Sequence, residues 1–167
     1  MISERSYEKI KREDLEKLLK FADEDREDFF TRYPRWKKLY FNRIICIALC
    51  QGAAQHYVDG KNGVKDFDVW TFYAEHPSAQ FPYRRAGSRD FGISKFGCHP
   101  SDIRKFKGRC VDLIGRSLKC SLKADPIETL RAYLDKSQTK TSKELSKKAV
   151  VILFPRNLFG KVVWPEV

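Results

Sequence analysis

Apolar positions over residues 6–31 recur at helical spacing. Ile10, Leu15, Leu18, Leu19, Phe21 and Ala22 fall mostly on one stripe, opposite mixed charges, which predicts an amphipathic helix. Pro34 interrupts it, and a further short helix is expected over residues 35–41. The period then changes. Residues 44–51 begin with an uninterrupted apolar run (Ile44–Cys50) and read as a buried strand. Residues 53–58 suit a short helix and residues 64–73 a second strand, with Asp59, Gly60, Lys61, Asn62 and Gly63 supplying turn chemistry between them.

Residues 76–107 follow neither period and are rich in Gly, Pro, Arg and aromatics. A stretch this long is expected to be a functional loop with short structured pieces. Cys110, Val111, Asp112, Leu113 and Ile114 make a third strand candidate. Asp125 as N-cap, Pro126 in the first turn and Glu128 placed for a capping box open a helix to about residue 136. Thr141, Ser142, Lys143 and Glu144 repeat the capping-box pattern and predict a helix through about Val151. The apolar run 149–154 is also of buried-strand length, and residues 160–165 suit an edge strand or a packed tail. Strands interleaved with helices predict an α/β (α+β) chain of one domain over 1–167, with a helical N-terminal flank 1–39 and a C-terminal helical flank 119–167.

Composition narrows the function classes. A length of 167 residues with 42% apolar content allows one real core. The apolar runs are too short to cross a bilayer, and the charged N-terminus lacks the apolar segment of a signal peptide. Five cysteines without a CxxC pair read as reduced thiols of a cytoplasmic protein rather than as a zinc site. The net charge of +11 is uneven: residues 1–33 hold eight basic and ten acidic side chains, whereas residues 84–123 hold eleven basic and three acidic. A basic surface of that size points either to phosphate-bearing partners or to solubility alone.

The candidate chemistry lies in three aspartates. In a strand, side chains two residues apart share a face, so Asp66 and Asp68 project together while Phe67 and Val69 point away. Asp112 sits within the apolar CVDLI run, where burial without a partner is costly. Adjacent carboxylates repel unless a cation or proton lies between them. If the two strands are neighbours, the trio could hold Mg²⁺ or Mn²⁺, and the Gly52–Ala53 turn would let backbone approach a phosphate. The alternative is a solvent-facing polar edge, but apolar residues on both parities (Val64, Phe67, Val69, Trp70, Phe72) argue for a strand covered on both sides.

A strand ending in Gly52–Ala53, a spacer of twelve residues, Asp66–Phe67–Asp68–Val69 and then Asp112 in a later strand resembles the nucleotidyltransferase superfamily of the DNA polymerase β type. The chain also looks like a group of bacterial proteins that carry segments like HYVDGKNGVKDFDVW and RDFG, with no established activity. The resemblance implies a mixed sheet flanked by helices and a magnesium-dependent transfer of a nucleoside monophosphate from a nucleoside triphosphate, such as ATP, to a hydroxyl. It implies that Asp66 and Asp68 ligate both metals, that Asp112 completes the catalytic metal site and helps activate the acceptor hydroxyl, and that Gly52 faces the triphosphate. Ala53 departs from the family pattern, which has Gly or Ser there, so a phosphate-binding hydroxyl is lost.

Arg84, Arg85 and Arg89, in a loop with Gly87 and Gly92, suit a clamp on a triphosphate or RNA; the other reading is a loop pinned by Arg–Asp pairs, for example with Asp90. Lys95, Lys105, Lys107, Arg109 and Arg116 extend the basic band, with Phe96 and Phe106 read as core anchors rather than base-stacking platforms. His56, Trp36, Trp70 and Trp164 are expected to be structural, and His76 and His99 receive no role. The expectation is a Mg²⁺-dependent nucleotidyltransferase with RNA or a protein as acceptor. Its rivals are a non-catalytic relative that binds nucleic acid or a partner, as in a toxin–antitoxin or defence pair, and a metal-dependent nuclease.

Overall fold

The apolar stripe of the first helix decides which side of the molecule it covers. Helix α1 (Arg12–Arg32) buries Leu15, Leu18, Leu19 and Ala22, spaced three and four apart along a single face, and continues with Phe29 and Phe30. Each fully buried leucine contributes about 1.5–3 kcal/mol, so Leu18→Ala would loosen the whole contact. The helix starts six residues later than its periodicity predicts, because residue 6 is used elsewhere: Ser6 pairs with Val64 in an isolated antiparallel bridge. Pro34 opens α2 (Pro34–Tyr40). The structure, a computed structural model, describes residues 4–82, 86–136 and 138–166.

Strand β1 (Ile44–Cys50) leads directly into α3 (Gln51–Asp59), and the chain returns through β2 (Phe67–Ala74) antiparallel to β1. Strands β3 (Ala86–Asp90), β4 (Cys110–Leu118), β5 (Val150–Phe154) and β6 (Val162–Trp164) complete a six-stranded mixed sheet of order β3-β4-β2-β1-β5-β6. Helices α4 (Pro126–Lys136) and α5 (Lys140–Leu145) precede β5, and a 3-10 turn (Arg156–Leu158) precedes β6. The fold is α+β, a mixed sheet with flanking helices.

Both sheet faces are covered, which explains the lack of a polar parity in β1. One face carries Ile47, Leu49, Phe67, Val69, Val111 and Leu113 against α1 and α3. The other carries Cys46, Ala48, Phe72 and Ile152 against Leu130 and Leu134 of α4 and Leu145 of α5. An aromatic cluster of Phe29, Phe30, Tyr40, Tyr73 and Phe81 seals the end of the first face beneath α2.

Strands β2 and β4 run parallel, and a parallel pair cannot be closed by a tight turn. The crossover spans residues 75–109 and folds back as β3 before forming a loop tied at its base by Asp90. The Asp90 carboxylate accepts from the backbone N–H groups of Gly92 (2.8 Å), Lys107 (2.7 Å) and Gly108 (2.9 Å). The two loop ends touch closely: a Cβ on Gly108 would lie 1.9 Å from the carbonyl oxygen of Gly92.

Several expectations need correction. Strand β2 begins at Phe67, so Asp66 lies just before it, and β4 runs four residues beyond Ile114. The helix expected to continue through Val151 stops at Leu145, and residues 150–154 form β5. Its cap is Thr139, whose hydroxyl accepts from Ser142 N (3.0 Å), rather than Thr141. The cap expected at Asp125 is present, with Oδ1 accepting from Ile127 N (2.9 Å) and Glu128 N (3.0 Å). Among the described residues no helix is long and apolar enough to cross a membrane.

Candidate functional site

The parallel register brings the aspartates together. Asp68 of β2 stands opposite Asp112 of β4, and Asp66 precedes Asp68 by two positions. One carboxylate oxygen from each residue lies within 4.8 Å of the others, and all three side chains are half-buried. The neighbours Phe67, Val69, Val111 and Leu113 point to the opposite face and into the α1 core. Packing of those apolar residues therefore fixes which way the carboxylates point.

Three like charges in a half-dry cleft perturb one another. Burial foremost, then the charges of Asp66 and Asp112, pushes Asp68 up to about 7, against a smaller pull from Lys148. Burial and the Asp112 charge also raise Asp66, opposed by Lys65, Arg104 and Arg5. Asp112 accepts from Ser88 Oγ (3.4 Å) and from Cys110 Sγ (3.4 Å), and Arg104 reaches to 4.0 Å from it. Burial and Asp112 push the Cys110 thiol up to about 12, which keeps it a donor. Half-buried carboxylates with oxygen donors this close suit a hard divalent cation.

Cations line the same cavity of about 350 Å³: Arg5, Lys65 and Lys148 meet Asp66, Asp68, Gly52 and Ala53 there. Helix α3 begins on its wall at Gln51, itself in the left-handed region (φ 63°), with no side-chain cap on its first N–H groups, an end that favours anions. A side chain at Gly52 would displace a neighbour. A Cβ there would lie 2.7 Å from Nδ2 of Asn62, 3.8 Å from Arg5 and 3.9 Å from Lys148. Asn62 Nδ2 donates to the Gly52 carbonyl (3.1 Å). Ala53 belongs to the α1 core and is 1% exposed. A second, mostly apolar cavity of about 360 Å³ shares Gln51, Trp70 and Ile114 with the first and continues to Phe81, Arg116 and Thr141.

The N-terminal segment that carries Arg5 is held by two buried polar groups. Arg109, expected on the surface band, is 2% exposed; it donates to Phe96 O (2.8 Å), Glu4 O (2.6 Å) and Lys65 O (3.4 Å). His56 is a structural residue. Its Nδ1 accepts from Gly63 N (3.1 Å), leaving Nε2–H to donate to Glu8 O (2.9 Å).

Gly52, Ala53, Asp66, Asp68 and Asp112 thus converge, and Arg89 does not join them. Its register partner is Val111, on the α1 face, and it pairs there with Asp28 (2.6 Å) and Asp25 (3.9 Å). Arg84 and Arg85 lie outside the described residues. Lys95 is paired with Asp14 (3.0 Å), Phe96 is buried against Phe67 and Phe91, and Arg104 covers Phe106. Arg5, Lys65, Asn62, Arg104 and Lys148 were not legible as site residues. They reach the cleft from turns, loops and the N-terminal segment, where no periodicity marks a facing side. Compared with family models, with curated proteins and with solved structures, the chain matches none.

Proposed function

We propose that the chain is a nucleotidyltransferase-like enzyme that binds a nucleoside triphosphate with Mg²⁺ or Mn²⁺ and transfers the nucleoside monophosphate to an acceptor hydroxyl on RNA or protein. The observation that carries the reading is one cleft in which Asp66 and Asp68, with Asp112 clustered beside them, adjoin three cations and open onto an apolar cavity. That division matches a ligand with a metal-bound polyphosphate at one end and a flat base at the other.

Asp66, Asp68 and Asp112 would hold the metal, and their mutual repulsion in its absence is the reason they fit it. A metal held there would supply charge neutralisation to the triphosphate and to the entering and leaving oxygens of an in-line displacement. Lys148, Lys65 and Arg5 attract and orient the phosphates, and the first turn of α3 offers backbone N–H groups to them. Asp112, beside Ser88, is the carboxylate assigned to orient the acceptor hydroxyl. Trp70 and Ile114 form the wall against which the base lies. Arg89 is left out of this assignment, being paired on the other face.

Transfer of label from α-³²P nucleoside triphosphates to total RNA and to protein, with Asp66→Asn/Asp68→Asn alongside, tests the reading. Label on one acceptor class, lost in the double variant, is the expected result; no label on either overturns it. A second reading, a non-catalytic relative that binds nucleic acid or a partner, is favoured by Ala53, which is buried and offers no hydroxyl. RNA binding unchanged in the double variant, without label, selects that reading.

A further inference from the structure

The opposite end of the sheet carries a second charged surface. Residues 31–43 contain Arg32, Arg35, Lys37, Lys38 and Arg43 and no acidic residue. On α2, Trp36 and Tyr40 pack into the aromatic cluster, which turns Pro34, Lys37, Lys38 and Phe41 to one outer face at helical spacing. That face forms one wall of a groove of about 530 Å³, completed by Arg43 and, across from α2, by Leu122. The lining has no acidic side chain, and Lys119 and Lys123 flank Leu122 in sequence. Among the described residues no ion pair engages Lys37, Lys38, Lys119 or Lys123.

Large apolar groups stand exposed among these charges: Phe41 is 56% exposed and Leu122 53%. The Lys37 ammonium lies 5.7 Å from the Phe41 ring centre. Arg43 is anchored, its guanidinium donating to the carbonyls of Ala74 (2.8 Å) and Glu75 (3.1 Å), so the groove floor is fixed to the β1 and β2 ends. Unpaired lysines on the groove wall with an exposed ring beside them match a chain of phosphates whose bases stack. A bilayer fits less well, because the lysines and Phe41 line a recess that a flat surface does not enter.

We infer that this groove binds single-stranded nucleic acid, independently of the carboxylate cleft. The two lie at opposite ends of β2, roughly 20–25 Å apart at about 3.3 Å per residue. A strand gripped here would be a docking contact rather than a reacting one.

Fluorescence anisotropy with a labelled twelve-nucleotide uridine RNA tests the inference, using the whole chain without metal. Lys37→Glu/Lys38→Glu should weaken binding at least tenfold and flatten its dependence on salt. Phe41→Ala should weaken it about fivefold or more with the salt slope unchanged. Asp66→Asn/Asp68→Asn should bind the RNA at least as well as wild type, which separates this groove from the nucleotide reading. Circular dichroism and thermal melting of the lysine variants report whether the fold is kept; Lys37→Gln/Lys38→Gln gives the same test with less perturbation. Wild-type affinity in both folded lysine variants overturns the proposal. So does binding to phosphatidylserine vesicles with none to the RNA.

Discussion

Asp68 and Asp112 face one another as register partners on parallel strands, so two carboxylates share one rung of the sheet and Asp66 adds a third beside it. The core apolar residues that alternate with them prevent either strand from turning its acids away. The molecule therefore stores repulsion at the one parallel strand pairing among the described residues.

Relieving that repulsion should stabilise the metal-free protein. Asp68→Asn is expected to raise its unfolding free energy by at least about 1 kcal/mol, since a neutral amide ends the clash with its neighbours. Wild type should instead gain about 2–3 kcal/mol from Mn²⁺ or Mg²⁺ at a hundredfold excess over its dissociation constant. Asp68→Asn should lose most of that gain. Thermal melts of both proteins with and without metal decide the matter; equal responses to metal would remove Asp68 from the ligand set.

The same residue sets a pH dependence. Folded Asp68 is raised to about 7, while the unfolded side chain titrates near the ordinary value of about 3.9. Between those values the folded state holds the proton and the unfolded state does not. Stability without metal should therefore fall as pH rises from about 4 to about 7 and level off above. Urea unfolding of wild type and Asp68→Asn at pH 5 and pH 8 provides the check, the variant's advantage being expected at pH 8 and much smaller at pH 5.

Asn62 and Gly52 should behave as a coupled pair. Gly52→Ala forces the Asn62 amide away from the two carbonyls it serves, at about 1 kcal/mol. In an Asn62→Ala background the added methyl meets space, and the cost of Gly52→Ala should largely vanish. Additive losses in a double-mutant cycle would show that the glycine is needed for some other reason.

Asp90 is expected to control the loop after β3. Its carboxylate is pulled up by burial, yet three backbone N–H bonds outweigh that and hold it below the usual carboxylate range. Asp90→Ala leaves those donors without their acceptor and should cost about 2–3 kcal/mol. Limited proteolysis should then cut within residues 92–107 well before the rest of the chain. Unchanged cleavage would show the loop is held by other contacts.

The sequence made some of this architecture legible and not the rest. Ile44–Cys50 announces itself because both faces of β1 are covered, and Asp125 with Pro126 marks the start of α4. The carboxylate trio was readable because charged residues interrupt apolar runs at strand spacing. Strand β3 was not: Ala86–Asp90 has a glycine, a serine and two charges, and exists as a strand because β4 offers it an edge. The far half of β4, with Gly115, Arg116 and Ser117, is held in the same way by β2. Arg109 was misplaced because a buried arginine whose partners are distant carbonyls looks, in sequence, like any surface cation.

The parallel pairing has a consequence for how this chain tolerates change in length. Every other neighbouring pair in the sheet is antiparallel, a relation that a two-residue turn could in principle satisfy. The strands bearing Asp68 and Asp112 must be linked by a span that travels back the length of the sheet. Insertions within residues 92–107 need only lengthen an excursion already made, whereas deletions below about a dozen residues for the whole crossover would leave β4 to pair in the opposite direction. Truncation of that segment would thus unmake the carboxylate cluster without touching any of its three aspartates.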